Sequence, residues 1–147
     1  MAAAPQGAPK GPSEAELREV VLRGEQLRQQ LAAMEDQREL VMDLAGDARR
    51  ALGTLEHLTT AKEGEDTLVP LGAGAFIHAR IQDHTHAITN LGSGIHAELP
   101  VAESRDRMKA RVENLDGAMS QLNKDISRVA EELSRINAVL EQVYGGA

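Results

Sequence analysis

Histidine is the residue whose spacing in this chain most suggests site chemistry, because four of the five histidines fall within Thr67–Leu99. Imidazole binds zinc and titrates near neutral pH. A zinc site needs three or four ligands that converge tetrahedrally, but only His84 and His86 lie close together here. His78 and His96 occupy the polar positions of alternating segments. We therefore predict exposed histidines and no metal site, and a proton-sensing role stays open.

The other residue types form no catalytic pattern. The chain has no cysteine, which excludes a thiolate nucleophile and a disulfide, and it has no G-x-S-x-G motif. Its carboxylates stand beside basic residues at helical spacings, as Glu14 does with Arg18 and Glu132 with Arg135. This arrangement is typical of a solvated helix surface. We therefore expect no enzyme, no catalytic residue and no cofactor.

Two glycine triplets, residues 72–74 and 92–94, resemble phosphate-binding loops only in part. Both lack the third glycine of a dinucleotide fingerprint and the Lys-Ser/Thr of a P-loop, and neither opens a helix. Glycine is also favoured in tight turns that need a positive φ. The triplets therefore predict tight turns.

Composition limits the fold and the partners. The 147 residues include no tryptophan, one tyrosine and one phenylalanine, which does not favour a single compact core. The net charge of -7 argues against binding to nucleic acid or anionic membranes, and no apolar run could span a bilayer. Residues 1–12 lack the apolar core of a signal peptide and predict a flexible tail. We expect a cytoplasmic protein.

Two long helices are predicted on either side of the histidine-rich stretch. Ser13 and Glu16 form a capping box at the start of a heptad seam, which predicts a coiled-coil helix over 13–62. A second seam predicts a helix over 100–144, followed by a flexible end at 145–147. Folding the helices back antiparallel, with paired residue numbers that sum to about 160, would place both termini at one end and the β segment at the other.

Two residues interrupt the first seam. Gly24 would face Ile136 and loosen the coil. Arg38 would lie near Leu122, where it either extends its charged head to water or sets the register by pairing with Asp125.

The central residues 63–99 predict four short strands. The predicted strands are Thr67–Leu71, Ala75–Gln82, His86–Leu91 and Gly94–Leu99. Apolar residues alternate with polar ones in the second and fourth of them, at Ile77, Ala79 and Ile81, then at Ile95, Ala97 and Leu99, which predicts half-buried strands. A sheet of this size with one phenylalanine cannot stand alone. We therefore predict an assembly module that is completed by hairpins from neighbouring subunits.

The chain resembles an alpha-class prefoldin subunit of the archaeal type. The resemblance covers about Ser13 to Val143, and its most specific segments are LVPLGAGAF at Leu68–Phe76 and NLGSG at Asn90–Gly94. It implies a mainly α fold with a small β insert: a long antiparallel two-helix coiled coil joined by two β-hairpins that contribute to an inter-subunit β-barrel.

The resemblance also implies a function. Such a subunit joins a hetero-hexamer of two alpha and four beta-class subunits, which captures unfolded proteins at the coiled-coil tips without ATP and delivers them to a group II chaperonin. The implied client-binding residues are Leu17, Val20, Val21, Leu22, Val139, Leu140, Val143 and Tyr144. The implied assembly residues are Val69, Leu71, Phe76, Ile77, Ile81, Ile88, Leu91 and Ile95. The alternative function is a coiled-coil adaptor or scaffold that joins one defined partner.

Overall fold

The computed structural model describes residues 11–146 and contains two long helices with four strands between them in the chain. The elements are α1 (Glu14–Leu58), β1 (Asp66–Gly72), β2 (Ala75–Arg80), β3 (His86–Gly92), β4 (Ile95–Pro100) and α2 (Val101–Tyr144). The predicted mainly α fold with two β-hairpins is confirmed. No helix in the described range is long and apolar enough to cross a membrane. Of the predicted tail at 1–12, residues 1–10 lie outside the described residues, as does Ala147 of the predicted end.

The first helix begins at the predicted capping box. The backbone N–H of Ser13 donates to Glu16 Oε2 at 2.7 Å, and the Glu16 N–H donates to Ser13 Oγ at 3.3 Å. The hydrogen bond from the Ser13 N–H, followed by one from its hydroxyl, lowers the pKa of Glu16. Local polar groups therefore fix the start of α1.

The end of α1 differs from the prediction, because the helix stops at Leu58 and not at residue 62. The hydroxyls of Thr59 and Thr60 donate to the carbonyls of Glu56 and His57, at 2.6 and 3.0 Å. These hydroxyls satisfy carbonyls that a longer helix would have bonded internally. The helix ends in a tightened turn, in which the N–H groups of Thr59, Thr60 and Ala61 donate to carbonyls three residues back.

The chain divides into two compact units, and the first comprises residues 11–40 and 120–146. Its buried apolar side chains are Leu27, Leu122, Ile126 and Val129. A Cβ added at Gly24 would lie 3.3 Å from Ile136 Cγ2, so Gly24 does face Ile136, as the register predicted. Gly24 is buried and lets the helices approach closely, so the expectation that it loosens the coil was wrong.

Of the two interpretations of Arg38, the one that pairs it with Asp125 is wrong. Arg38 is exposed and makes no ion pair or hydrogen bond with any residue between 11 and 146. Asp125 instead accepts a hydrogen bond from Gln121 Nε2 at 3.2 Å and pairs with Arg128, both on its own helix. A solvated guanidinium needs no buried partner, which agrees with the alternative that Arg38 extends to water.

The second unit comprises residues 41–119. Its buried apolar side chains are small, apart from Leu55 and Val101, and include Ala45, Ala48 and Ala61. Arg49 of α1 forms an ion pair with Asp116 of α2. Alanine at successive seam positions allows the two helix backbones to lie close together.

The strands form two separate two-stranded antiparallel sheets: hairpin 1 (β1 and β2) and hairpin 2 (β3 and β4). Each closes through a two-residue turn, Ala73-Gly74 or Ser93-Gly94, and all four turn residues have a positive φ. Gly72 and Gly92, just before the turns, also have a positive φ. The prediction that the glycine triplets form tight turns is confirmed.

The strand bounds shift by one or two residues from the predicted ones, and the largest shift is in β2, which ends at Arg80 and not at Gln82. Ile81 lies in the link after the strand, where its N–H donates to the Glu65 carbonyl at 2.9 Å. The predicted half-buried alternation holds for Ala79 and Ile81 and fails for Ile77, which is exposed. In β4 it holds for Ala97 and Leu99 and fails for Ile95.

Candidate functional site

An apolar groove lies where α1 begins and α2 ends. Successive turns of α1 supply one wall at spacings of three and four residues, which place their side chains on one helix face. The groove has a volume of about 720 Å³ and is lined by Glu14, Leu17, Arg18, Val21, Leu22, Glu25 and Tyr144. We call it the tip groove.

The apolar residues of the tip groove are open to solvent to different degrees. Leu22 and Tyr144 are exposed, whereas Leu17 and Val21 are half-buried. These four are predicted client-binding residues, which the structure brings together. An apolar groove of this volume, open to solvent, is large enough to accept side chains of another chain.

The other four predicted client-binding residues lie nearby but do not line the tip groove. Val20 lines a second groove of about 440 Å³ together with Leu22, Ile136 and polar residues. Val139 is exposed, and Leu140 and Val143 are half-buried. Leu22 lines both the tip groove and this second groove.

The two hairpins carry a second set of exposed apolar side chains. The exposed ones are Leu68, Val69, Leu71, Phe76, Ile77, Ile88, Leu91 and Ile95. Seven of these are predicted assembly residues, and the eighth prediction, Ile81, is half-buried. Leu68 was missed, although its place in the apolar run Leu68–Leu71 was a usable signal. The structure leaves these side chains uncovered within the described chain.

Hairpin 2 packs one of its faces onto its own chain. Thr89 and Ala97 are cross-strand partners on that face, and Thr89 Oγ1 is hydrogen-bonded to Ser104 Oγ of α2 at 2.7 Å. Ser104 is fully buried, with a relative exposure of 0%. No motif joins a threonine and a serine fifteen residues apart, so sequence reasoning missed this contact.

The matching face of hairpin 1 is uncovered. Its cross-strand partners are Val69 and Ile77, which stand where hairpin 2 has Thr89 and Ala97. The relative exposure of Val69 is 43%, against 8% for Thr89. Two hairpins of the same geometry therefore differ in what they pack against.

The link between the hairpins is held by one carboxylate. The Asp83 Oδ1 atom accepts hydrogen bonds from the hydroxyl and the N–H of Thr85, at 2.6 and 2.7 Å, and Asp83 Oδ2 lies 3.2 Å from His86 Nδ1. Bonds from Thr85, first its hydroxyl and then its N–H, lower the pKa of Asp83 to about 2. The Thr85 carbonyl in turn accepts the N–H of Val101, the first residue of α2. Asp83 thereby fixes the start of hairpin 2.

The histidines do not converge. His78 and His96 are exposed on their strands, as predicted, and His84 is half-buried in the link. Between residues 11 and 146, no three acidic or histidine side chains are placed to hold a metal ion. His86 and His96 have polar partners close to them in the sequence. His86 Nδ1 lies 3.2 Å from Asp83 Oδ2, and His96 Nδ1 lies 3.1 Å from the Gly94 carbonyl oxygen.

Comparison with known proteins agrees with the fold. The model of the prefoldin subunit family matches residues 27–146, which is most of the chain. The chain belongs to the prefoldin family. A prefoldin alpha subunit of Methanococcoides burtonii is 30% identical over 128 residues, covering 87% of this chain and 93% of the relative. The alpha subunit of Methanosarcina mazei is 22% identical over 134 residues, covering 89% of this chain and 94% of the relative.

A solved prefoldin structure supports the same fold. The cryo-EM structure of filamentous prefoldin from Methanocaldococcus jannaschii has a TM-score of 0.52 and 23% identity, and the match covers 86% of this chain and 98% of that one. This prefoldin subunit is of the archaeal alpha class. Prefoldin subunits are chaperones and not enzymes.

Proposed function

We propose that this prefoldin subunit is an ATP-independent holdase that captures unfolded proteins in its tip groove. The observation that carries the proposal is the exposure of Leu22 and Tyr144 beside half-buried Leu17 and Val21 in one groove. Folded proteins seldom leave such apolar surfaces open unless they bind something. Unfolded chains expose apolar side chains that this groove could bury at about 25 cal/mol per Å².

We further propose that the hairpins join this subunit to beta-class prefoldin subunits, in a hexamer of two alpha and four beta chains whose strands form a shared β-barrel. Each hairpin has two strands, so both of its outer edges carry backbone N–H and carbonyl groups without a strand partner among residues 11–146. The apolar side chains on the hairpins add a hydrophobic surface of the kind found in permanent interfaces. Membership of the prefoldin family supports assembly with other prefoldin subunits.

The later steps of the proposed function follow from the family. The assembled chaperone would work in the cytoplasm and pass its bound clients to a group II chaperonin. Sharing a client among several subunits makes weak individual grooves effective, because linked sites raise the effective concentration.

A pair of matched substitutions tests the proposed client site. Leu22→Ser removes an apolar side chain from the tip groove, and Leu40→Ser removes one of similar exposure, 58% against 56%, from outside it on the same helix. Assemblies with Leu22→Ser should protect a denatured test protein from aggregation less well than the wild type, and those with Leu40→Ser should protect normally. Equal protection by both variants would contradict the proposal, and saturable binding of a single folded partner would favour an adaptor.

A further inference from the structure

The charges around the tip groove are unbalanced, whereas a site that binds apolar segments of any charge would need no net charge. Between residues 14 and 25, α1 carries four glutamates and two arginines. Both arginines are already paired: Arg18 lies 3.7 Å from Glu14, and Arg23 lies 2.8 Å from Glu132 of α2. The excess charge at this end of the helix is therefore negative.

Two of these glutamates flank the most exposed leucine of the groove. Glu25 lines the tip groove and Glu19 lines the second groove, while Leu22, three residues from each, lines both. Neither Glu19 nor Glu25 makes an ion pair with any residue between 11 and 146. Their carboxylates are thus available to a cation that approaches Leu22.

The two helix ends at the groove differ in how their partial charges are compensated. The partial positive charge at the start of α1 is met by Glu14 and Glu16 in its first turn. Tyr144 is the last residue of α2 and a wall of the tip groove, and the last turn of this helix contains no basic residue. The carbonyl groups at a helix C-terminus carry a partial negative charge, which a lysine or arginine usually compensates. A cation supplied by a bound chain would compensate it here.

We propose that the tip groove selects unfolded segments in which lysine or arginine stands next to the apolar residues that enter the groove. The apolar side chains contact Leu17, Leu22 and Tyr144, and the neighbouring cation is met by Glu19, Glu25 and the carbonyl end of α2. A second copy of this chain is a poor occupant, because it would bring the same excess of carboxylates. This inference rests on the proposed client-holding function and specifies its substrate class.

Two fluorescent peptides with an identical apolar core test the inference, one flanked by lysines and one by glutamates. Their affinities for the full-length chain are measured by anisotropy at low salt and at about 0.5 M salt, where charge effects are screened. The lysine-flanked peptide should bind about threefold more tightly at low salt. The difference should shrink at high salt.

Matched charge variants locate the effect. Glu19→Gln with Glu25→Gln should abolish the preference, and Glu35→Gln with Glu39→Gln, on the same helix outside both grooves, should leave it unchanged. Equal binding of the two peptides to the wild type, or equal loss of preference in both double variants, would overturn the inference. Leu22→Ser should weaken both peptides alike, and if it weakens neither, the proposed client site itself fails. Circular dichroism checks that all variants keep their helices.

Discussion

The tip groove and the hairpins both expose apolar side chains, but they differ in what surrounds those side chains. On the hairpins, exposed residues such as Val69 and Ile77 stand on two-stranded sheets whose outer backbone edges lack strand partners in the described part of the chain. In the tip groove, Leu22 and Tyr144 stand on helices whose backbone is hydrogen-bonded internally, with carboxylates at the rim. An unpaired strand edge requires a partner with defined geometry, whereas a helical groove accepts many sequences. The difference favours permanent assembly at the hairpins and transient binding at the groove.

The hairpins themselves sharpen this comparison, because hairpin 2 packs on α2 and the matching face of hairpin 1 is exposed among residues 11–146. Thr89 of hairpin 2 is buried against Ser104, whereas Val69 in the matching position of hairpin 1 is open. A hydrogen-bonded polar pair holds hairpin 2 to its own helix, whereas the apolar pair Val69 and Ile77 on hairpin 1 stays exposed. Hairpin 1 is therefore the stronger candidate for an inter-subunit contact on this face.

The largest expected effect comes from charging that open face. Val69→Asp with Ile77→Asp would bury two unpaired carboxylates in any interface that covers hairpin 1, at a cost of several kcal/mol. The variant should fail to assemble with beta-class subunits, as measured by light scattering after size exclusion. Its far-UV circular dichroism should remain helical, and Leu22→Ser should assemble normally. Normal assembly of the charged variant would show that this face is not an interface.

A smaller effect is expected where hairpin 2 meets α2. Ser104→Ala leaves the buried Thr89 hydroxyl without its partner and should lower the free energy of unfolding by about 1–3 kcal/mol. Ser127→Ala, at an exposed position of the same helix, is the control and should change it little. Adding Thr89→Val to Ser104→Ala should recover part of the loss. A neutral Ser104→Ala would mean that the hydrogen bond does not hold hairpin 2 in place.

The Asp83 link predicts a pH dependence. The pKa of Asp83 is about 2 in the folded chain and lies below its ordinary value of 3.8, so the ionised form stabilises the fold above about pH 4, and this stabilisation is lost as the pH falls toward 2. Asp83→Asn should melt at a lower temperature than the wild type between pH 5 and 7, and the two should converge near pH 2. A gap that persists unchanged at acid pH would show that ionisation is not what matters.

The smallest effect is expected for Arg38→Leu. Because Arg38 is exposed and has no ion pair in the described range, the substitution should change the free energy of unfolding by no more than about 0.5 kcal/mol. Chemical denaturation measures the change. A stabilisation well above this value would mean that Arg38 is held in the seam against its preference for water.

Local signals explain which features the sequence could predict. The capping box at Ser13, the glycine turns and the facing of Gly24 and Ile136 each depend on a few nearby residues or on a regular repeat, and all are present. The end of α1 and the partner of Asp125 depend on which polar groups compete for each hydrogen bond. The heptad repeat carries no information about that competition. The exposure of Ile77 was mispredicted for another reason. Alternation in a strand indicates that one face will be covered, but not whether the cover belongs to the same chain.

The candidate site was partly predictable. Four of the eight predicted client-binding residues line the tip groove, because residues near the two helix ends must meet if the helices pack antiparallel. Their grouping with Glu14, Arg18 and Glu25 needed side-chain positions. The Thr89–Ser104 contact could not be read from the sequence, since hydrogen-bonded hydroxyls have no periodic pattern.

Photo-crosslinking tests the central claim most directly, because it records where an unfolded client touches the assembled chaperone. A denatured protein carrying a photoreactive group is bound, irradiated and mapped by mass spectrometry. The account predicts that crosslinks on this subunit concentrate at residues 17–22 and 139–144. Crosslinks concentrated at residues 68–77 and 88–95 would contradict it, because the hairpins would then bind clients.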